Sequence, residues 1–343
     1  LFAAALQRDP VRAFAWLGRR HGETVAFARA RSGRGLGRPL VVTTDPQLLR
    51  HVLYDPRFRN SSLTLSGPRG SSHRRLRKSL FRMHGEDDRR NRRLILPAMQ
   101  KKAIEPLCDA MVDVAERVLA RYAVGQTRDV AADMKDVARQ ISAAALFGIA
   151  DLDEAERLGR RFEDWLADSY RLGPRVLPYD LPGSPYRAML RKAEALERVA
   201  LELFERKRAE GYAGSDLLTH LVREFDHGDA LTLEELLGHL HIFFLAAHET
   251  TSYALAWTVM LLAQHPDVLE TVAGEVRDVL GDARPTPALL ERLGALDAAI
   301  DESLRMFPIV PFGARIATEA LEIEGRPVPR KTRILIPFVS LHH

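Results

Sequence analysis

"TLEELLGHLHIFFLAAHETTSYALAWTVMLLAQ", residues 232–264, is the stretch on which the fold turns. Thr232 and Glu235 have capping-box spacing, so each side chain can satisfy the other's backbone N–H. Apolar residues then continue on every face until His265-Pro266 stops the run. At about 1.5 Å per residue this predicts a helix of roughly 50 Å, long enough to cross a domain. A helix that is apolar nearly all round belongs in a core. Within it, "FFLAAHETTS" (243–252) sets a histidine, a glutamate and two threonines among apolar neighbours.

The pattern around this helix has the same character. From about residue 87 to 306 the period is helical, broken at "VGQTRD", "LGPRVLPYDLPGSPY" and "AEGYAGSD". Near the N-terminus, "ETVAFARARSGRGLGRPLVVTTDP" reads as two short strands around a turn at Gly33, Gly35 and Gly37. That spacing is not a dinucleotide fingerprint, and no helix follows it directly. After Pro308, "EALEIEGRPVPRKTRILIPFV" reads as a small sheet around a Glu324-Gly325 turn. There is no repeat and no Gly/Ser linker, so residues 1–343 are expected to form a single domain, mainly α with small β-sheets.

Composition narrows the class. With 343 residues, 46% hydrophobic and 28% charged, the chain can bury one large core or two ordinary ones. The net charge of +4 is spread along it. No apolar run is long enough for a membrane span. The single cysteine, Cys108, excludes an internal disulfide and a multi-thiolate zinc site, and suggests a reducing, cytoplasmic setting. Cys108, Met111, Ala115, Val118 and Tyr122 share a helix face, so Cys108 is expected in the core. The chain opens on Leu1 and stops at "FVSLHH" after a strand-like run, which suggests a fragment.

The polar insert admits several readings. His248-Glu249 opens the zinc-protease pattern H-E-x-x-H, but the fifth position is Ser252, so that reading fails. In one remaining reading, Thr250 and Thr251 bond back to carbonyls one turn earlier, with His248 and Glu249 on a solvated edge. In the other, small Ala246 and Ala247 let a flat ligand approach the backbone. The Thr250 hydroxyl then loosens the local ladder, and Glu249 adds a carboxylate able to deliver protons to a bound small molecule such as oxygen.

Two further segments bear on the choice. "GEDDRRNRRLILPAM" brings Arg89, Arg90, Arg92 and Arg93 onto the start of a helix, as a solvated face or a binding surface. No aromatic residue is interleaved for base stacking. In "AAIDESLRMFP", Glu302 and Arg305 can pair at i, i+3 within an apolar setting, which suggests a buried pair. "PIVPFGARIATE" then carries Arg315 into the second sheet region.

In order, "GRPLVVTTDP", "GEDDRRNRRLILPAM", "AAHETTS" and "ESLR" resemble the cytochrome P450 family of haem-thiolate monooxygenases, most like its soluble bacterial members. The resemblance covers nearly the whole chain. It implies a P450-like fold and haem b as cofactor. It also implies a small organic substrate, O2 and a ferredoxin- or flavodoxin-type redox partner, with no nucleic acid and no membrane span. By that resemblance Thr250 assists dioxygen protonation beside Glu249, while Ala246 and Ala247 line the haem. Arg92 and Arg315 contact its propionates, and Glu302 and Arg305 form a structural pair. Phe243, Phe244, Ala247, Ile309 and Val310 become pocket walls, with "SSLTLSGPRGSSHRRL" as a lid.

Three positions depart from the family pattern. Ala247 stands where glycine is usual, and Asp88 where relatives often have histidine or tryptophan. The proximal cysteine loop has no counterpart, so no thiolate metal ligand is assigned and a truncated domain is expected. A catalytically silent binding module or fragment is the alternative function. A nucleic-acid binder using residues 69–93 is the third.

Overall fold

A computed structural model describes residues 8–27, 39–61, 67–228, 231–323 and 325–341. Its α-helices of eight or more residues are α1 Pro10–His21, α2 Pro46–Tyr54, α3 Gly85–Ile95, α4 Cys108–Leu119, α5 Val130–Phe147, α6 Leu152–Tyr170, α7 Pro185–Ala209, α8 Leu217–His227, α9 Leu233–Gln264, α10 Pro266–Leu280 and α11 Gly294–Met306. Most begin where short polar side chains cap them. Asp45, Asp129, Asp151, Ser184 and Asp216 each accept a hydrogen bond from a first-turn N–H. The chain divides into two compact units, Leu1–Leu63 with Asp301–His343, and Thr64–Ile300, the division falling within α11.

The first unit contains all the strands: β1 Thr24–Phe27, β2 Leu40–Thr43, β3 Phe58–Asn60, β4 Gly313–Ala317, β5 Leu321–Ile323, β6 Arg326–Val328 and β7 Arg333–Ile336. β1 and β2 pair antiparallel, Val25 opposite Val42, as the sequence pattern predicts. The turn at Gly33, Gly35 and Gly37 lies outside the described residues. β2 also pairs in parallel with β7, giving a five-stranded sheet ordered β1-β2-β7-β4-β3. The N-terminal strands and the last strand of the C-terminal region, read separately from sequence, therefore share one sheet. β5 and β6 form a separate hairpin. Gly325 sits there at φ 74°, a region open to glycine without strain; Glu324 is outside the described residues. Leu48, Val52, Phe58, Ile334 and Ile336 bury one patch of this unit, and Phe14, Leu17, Val42 and Leu335 another.

The second unit is helical. Its core joins α5, α6, α7, α8 and the first half of α9 through Phe147, Phe162, Trp165, Leu196, Phe204, Leu236 and Phe244. In α4 the buried residues are Val114 and Val118, while Cys108 is only partly buried. The buried stripe is thus rotated from the face predicted around Cys108.

Candidate functional site

α9 is fixed at its start by the predicted cap. Thr232 N donates to Glu235 Oε2 at 2.9 Å and Glu235 N donates to Thr232 Oγ1 at 3.3 Å. The other Glu235 oxygen accepts from Arg90 and from Asn91 Nδ2, tying α3 to α9. Asn91 Oδ1 lies 2.7 Å from His239 Nε2. Gly238 lets the Lys78 backbone pack against α9, because a Cβ there would fall 1.9 Å from the Lys78 carbonyl oxygen.

Further along α9 the insert has two faces. Phe244 is buried, 4.8 Å from Phe162 and 5.3 Å from Phe147 between ring centroids. Ala246 and Ala247 are partly exposed and Thr250 is exposed. At 100° per residue Ala246 and Thr250 stand roughly opposite Phe244, and Phe243 shares their side. The structure therefore separates the two phenylalanines that the sequence grouped as pocket walls: Phe244 belongs to the bundle core. Thr250 Oγ1 donates to the Ala246 carbonyl at 2.6 Å, the local competition expected, while the helix continues through it.

His248 is not on a solvated edge. It is fully buried beneath Phe244, and its Nδ1 donates to the Phe244 carbonyl at 2.8 Å. Nε2 lies 3.2 Å from Glu249 Oε1 and 3.7 Å from Glu163 Oε1 on α6, in ion-pair range without hydrogen-bond alignment. α5 adds Lys135, 3.0 Å from Glu163 and 3.7 Å from Glu249, and Arg139, 3.5 Å from Glu163 and 2.7 Å from Asp136. Gly159 makes room, since a Cβ there would meet Arg139 Cδ at 2.1 Å.

This cluster inverts the usual effect of burial. Burial disfavours the His248 imidazolium, but Glu163 and Glu249 outweigh it and raise its pKa to about 9. Burial likewise disfavours ionised Glu163, yet His248 and Lys135 bring it down to about 2. Glu249 is lowered first by His248. Elsewhere on α9, burial alone dominates: His239 falls to about 4 and His241 to about 3, so both are neutral at pH 7.

The four arginines of α3 all have carboxylate partners. Arg89 and Arg93 pair with Glu86, Arg90 with Glu235, and Arg92 with Asp88 at 3.0 Å. Asp88, one of the departures noted in sequence, thus pairs with the arginine that the resemblance assigns to a propionate.

The remaining candidates belong to the first unit. Arg315 is on β4, partly buried, and burial lowers its pKa. Among the described residues no carboxylate pairs with it, and its hydrogen bond to the Ala314 carbonyl is long at 3.5 Å. Ile309 is partly buried and Val310 is 53% exposed. Glu302 and Arg305 do pair, at 2.6 Å, but at 55% and 50% side-chain exposure. The buried pair predicted from its apolar neighbours is a solvated one, because those neighbours point to the other sides of α11. The proposed lid falls partly on residues 62–66, outside the described residues.

The sequence matches the family description "Cytochrome P450" over residues 2–343, and the chain belongs to that family. It is 31% identical to a cyclooctat-9-en-7-ol 5-monooxygenase of Streptomyces melanosporofaciens, over 87% of this chain and 65% of that one. It is 28% identical to abscisic acid 8'-hydroxylase 2 of Oryza sativa subsp. indica, over 90% of this chain and 62% of the relative. The chain thus spans under two thirds of the length of these relatives. Among solved structures it resembles the haem domain of a cytochrome P450DA mutant, with TM-score 0.79 at 25% identity, covering 97% of this chain and 74% of that one. A retinoic acid-bound cyanobacterial CYP120A1 shares the fold, with TM-score 0.80 at 19% identity over 96% of this chain and 72% of that one. No helix among the described residues is long and apolar enough to cross a membrane.

Family membership implies a haem iron, and two features fit such a group. The Ala246–Ala247–Thr250 face of α9 carries only small side chains and is partly open. Arg315 is a partly buried guanidinium without a carboxylate among the described residues, a suitable partner for a propionate.

Proposed function

We propose that this chain supplies the oxygen-facing helix and propionate contacts of a haem-thiolate monooxygenase. The reaction inserts one atom of O2 into a small organic substrate, with electrons from a ferredoxin- or flavodoxin-type partner in a reducing, cytoplasmic setting. The observation that carries the reading is the split of α9 at residues 243–252. One side holds an accessible hydroxyl, Thr250, and the other a charge cluster ending in Glu249.

When bound, haem b supplies oxygen activation and the iron centre. Within the helical unit Ala246 and Ala247 admit its face and Arg92 holds a propionate by exchanging Asp88 for the ligand; Arg315, in the other unit, is by resemblance a separate propionate contact. Thr250 holds a proton at Oγ1, close to the Ala246 carbonyl and able to turn from it. Glu249, the preceding residue, accepts and returns a proton at its own carboxylate, its ionised form maintained by His248 and Lys135. Phe243 provides apolar surface for substrate in the helical unit, and Ile309 and Val310 are, taken by themselves, the substrate-facing candidates of the other unit.

The test is to supply haem to the full chain and record the reduced carbon monoxide spectrum, then repeat with Arg315→Met. Haem binding that weakens in Arg315→Met supports the propionate contact. A thiolate-type Soret band would show that Cys108 or another chain supplies the sulfur, contrary to the sequence reading. Haem binding without that band, or none, favours the silent binding module or fragment.

A further inference from the structure

The interior side of α9 carries His248, which with Glu163 of α6 takes no direct part in the proposed proton delivery and shares a cluster with Glu249. His248 Nδ1 gives its proton to the Phe244 carbonyl at 2.8 Å, which leaves Nε2 as the ring atom available to a ligand. His248 is fully buried and Nε2 has no hydrogen-bond partner, and neither has the buried Glu163 Oε1 opposite it. At neutral pH a proton on Nε2 lies between the ring and the two carboxylates, and a divalent cation would take that proton's place.

Their spacing suits a metal ion. Nε2 lies 3.2 Å from Glu249 Oε1 and 3.7 Å from Glu163 Oε1, and one ligand atom from each residue falls within 4.8 Å of the others. Ligands at ~2.0–2.1 Å from a tetrahedral ion stand about 3.3 Å apart. A Nδ1–H bonded to a carbonyl is also the usual way a histidine ligand is oriented. We propose that Glu163, His248 and Glu249 form a binding site for one first-row divalent cation, Zn2+ or Co2+, inside the helical unit.

Two cations face the site from α5. Lys135 is 3.0 Å from the outer oxygen of Glu163, and Arg139, bonded to Asp136 at 2.7 Å, is 3.5 Å from the inner one. Both weaken a dication's binding by repulsion, so Lys135 gives the site a signature. An ion there would also immobilise Glu249 and inhibit proton delivery. That consequence rests on the proposed function, whereas metal binding itself does not.

The probe is Co2+, titrated into the metal-stripped full chain and followed by visible absorption, with Zn2+ as competitor. One tetrahedral Co2+ per chain is expected, displaced by Zn2+. His248→Gln and Glu163→Gln should each weaken binding by about tenfold or more, and Lys135→Met should tighten it several-fold. Circular dichroism checks folding, and if His248→Gln does not fold the isosteric Glu163→Gln decides. Absence of wild-type binding, equal binding in the folded Gln variants, or a Lys135→Met variant that binds no more tightly overturns the site.

Discussion

Replacing His248 with glutamine should change how stability depends on pH. Its folded pKa of about 9 lies above the ordinary value of 6.5, so its contribution is complete below pH 6.5 and lost as pH rises through 9. At 1.36 kcal/mol per pKa unit, that interval corresponds to a contribution on the order of 3 kcal/mol. Burial of the ring keeps solvent from screening it away. Glu163 gives the acid counterpart: with a folded value of about 2, its contribution holds above pH 4.5 and disappears as pH falls through 2. The two values describe one coupled group and are not added. Urea unfolding of wild type and His248→Gln, in chelator-containing buffer from pH 5 to 10, measures the effect. With an m-value of a few kcal/mol per molar, the wild-type midpoint should exceed the variant's by about 1 M near pH 6, and the gap should close by pH 10. Parallel pH curves would refute the buried imidazolium.

Gly238→Ala should destabilise the helical unit by about 1–3 kcal/mol or more in thermal melts, because its methyl group would meet the Lys78 backbone at 1.9 Å. Phe244→Ala should cost about 3–5 kcal/mol by denaturant unfolding, since it empties a site among Phe147, Phe162 and His248. Glu302→Gln should leave the denaturation midpoint essentially unchanged, both partners being about half exposed to water. Thr250→Ala should shift the melting temperature little but, in a haem- and partner-reconstituted assay, lower product formed per electron consumed.

The site was legible only where its physics is local. Thr232, Glu235 and His265-Pro266 marked the ends of α9 correctly because caps and proline stops act within a few residues. The Thr250 bond to Ala246 followed from one helical turn, and β1 with β2 from alternation and nearness in sequence. The Glu302–Arg305 spacing gave the contact but not its exposure, which depends on what covers α11.

His248 received no role in the sequence reading, although its place in an apolar helix was a signal that it needed a partner. Identifying the partner requires α5 and α6, since Lys135, Arg139 and Glu163 meet it only after three helices pack. The parallel β2–β7 pairing likewise joins opposite ends of the chain and leaves no trace in either strand alone. Sequence by itself determined the long helix, its polar insert, the mainly helical class and the family. Tertiary structure alone decided which side of that helix each residue faces and which charges share a buried site, because burial and Coulomb energies depend on distances that backbone propensity does not set.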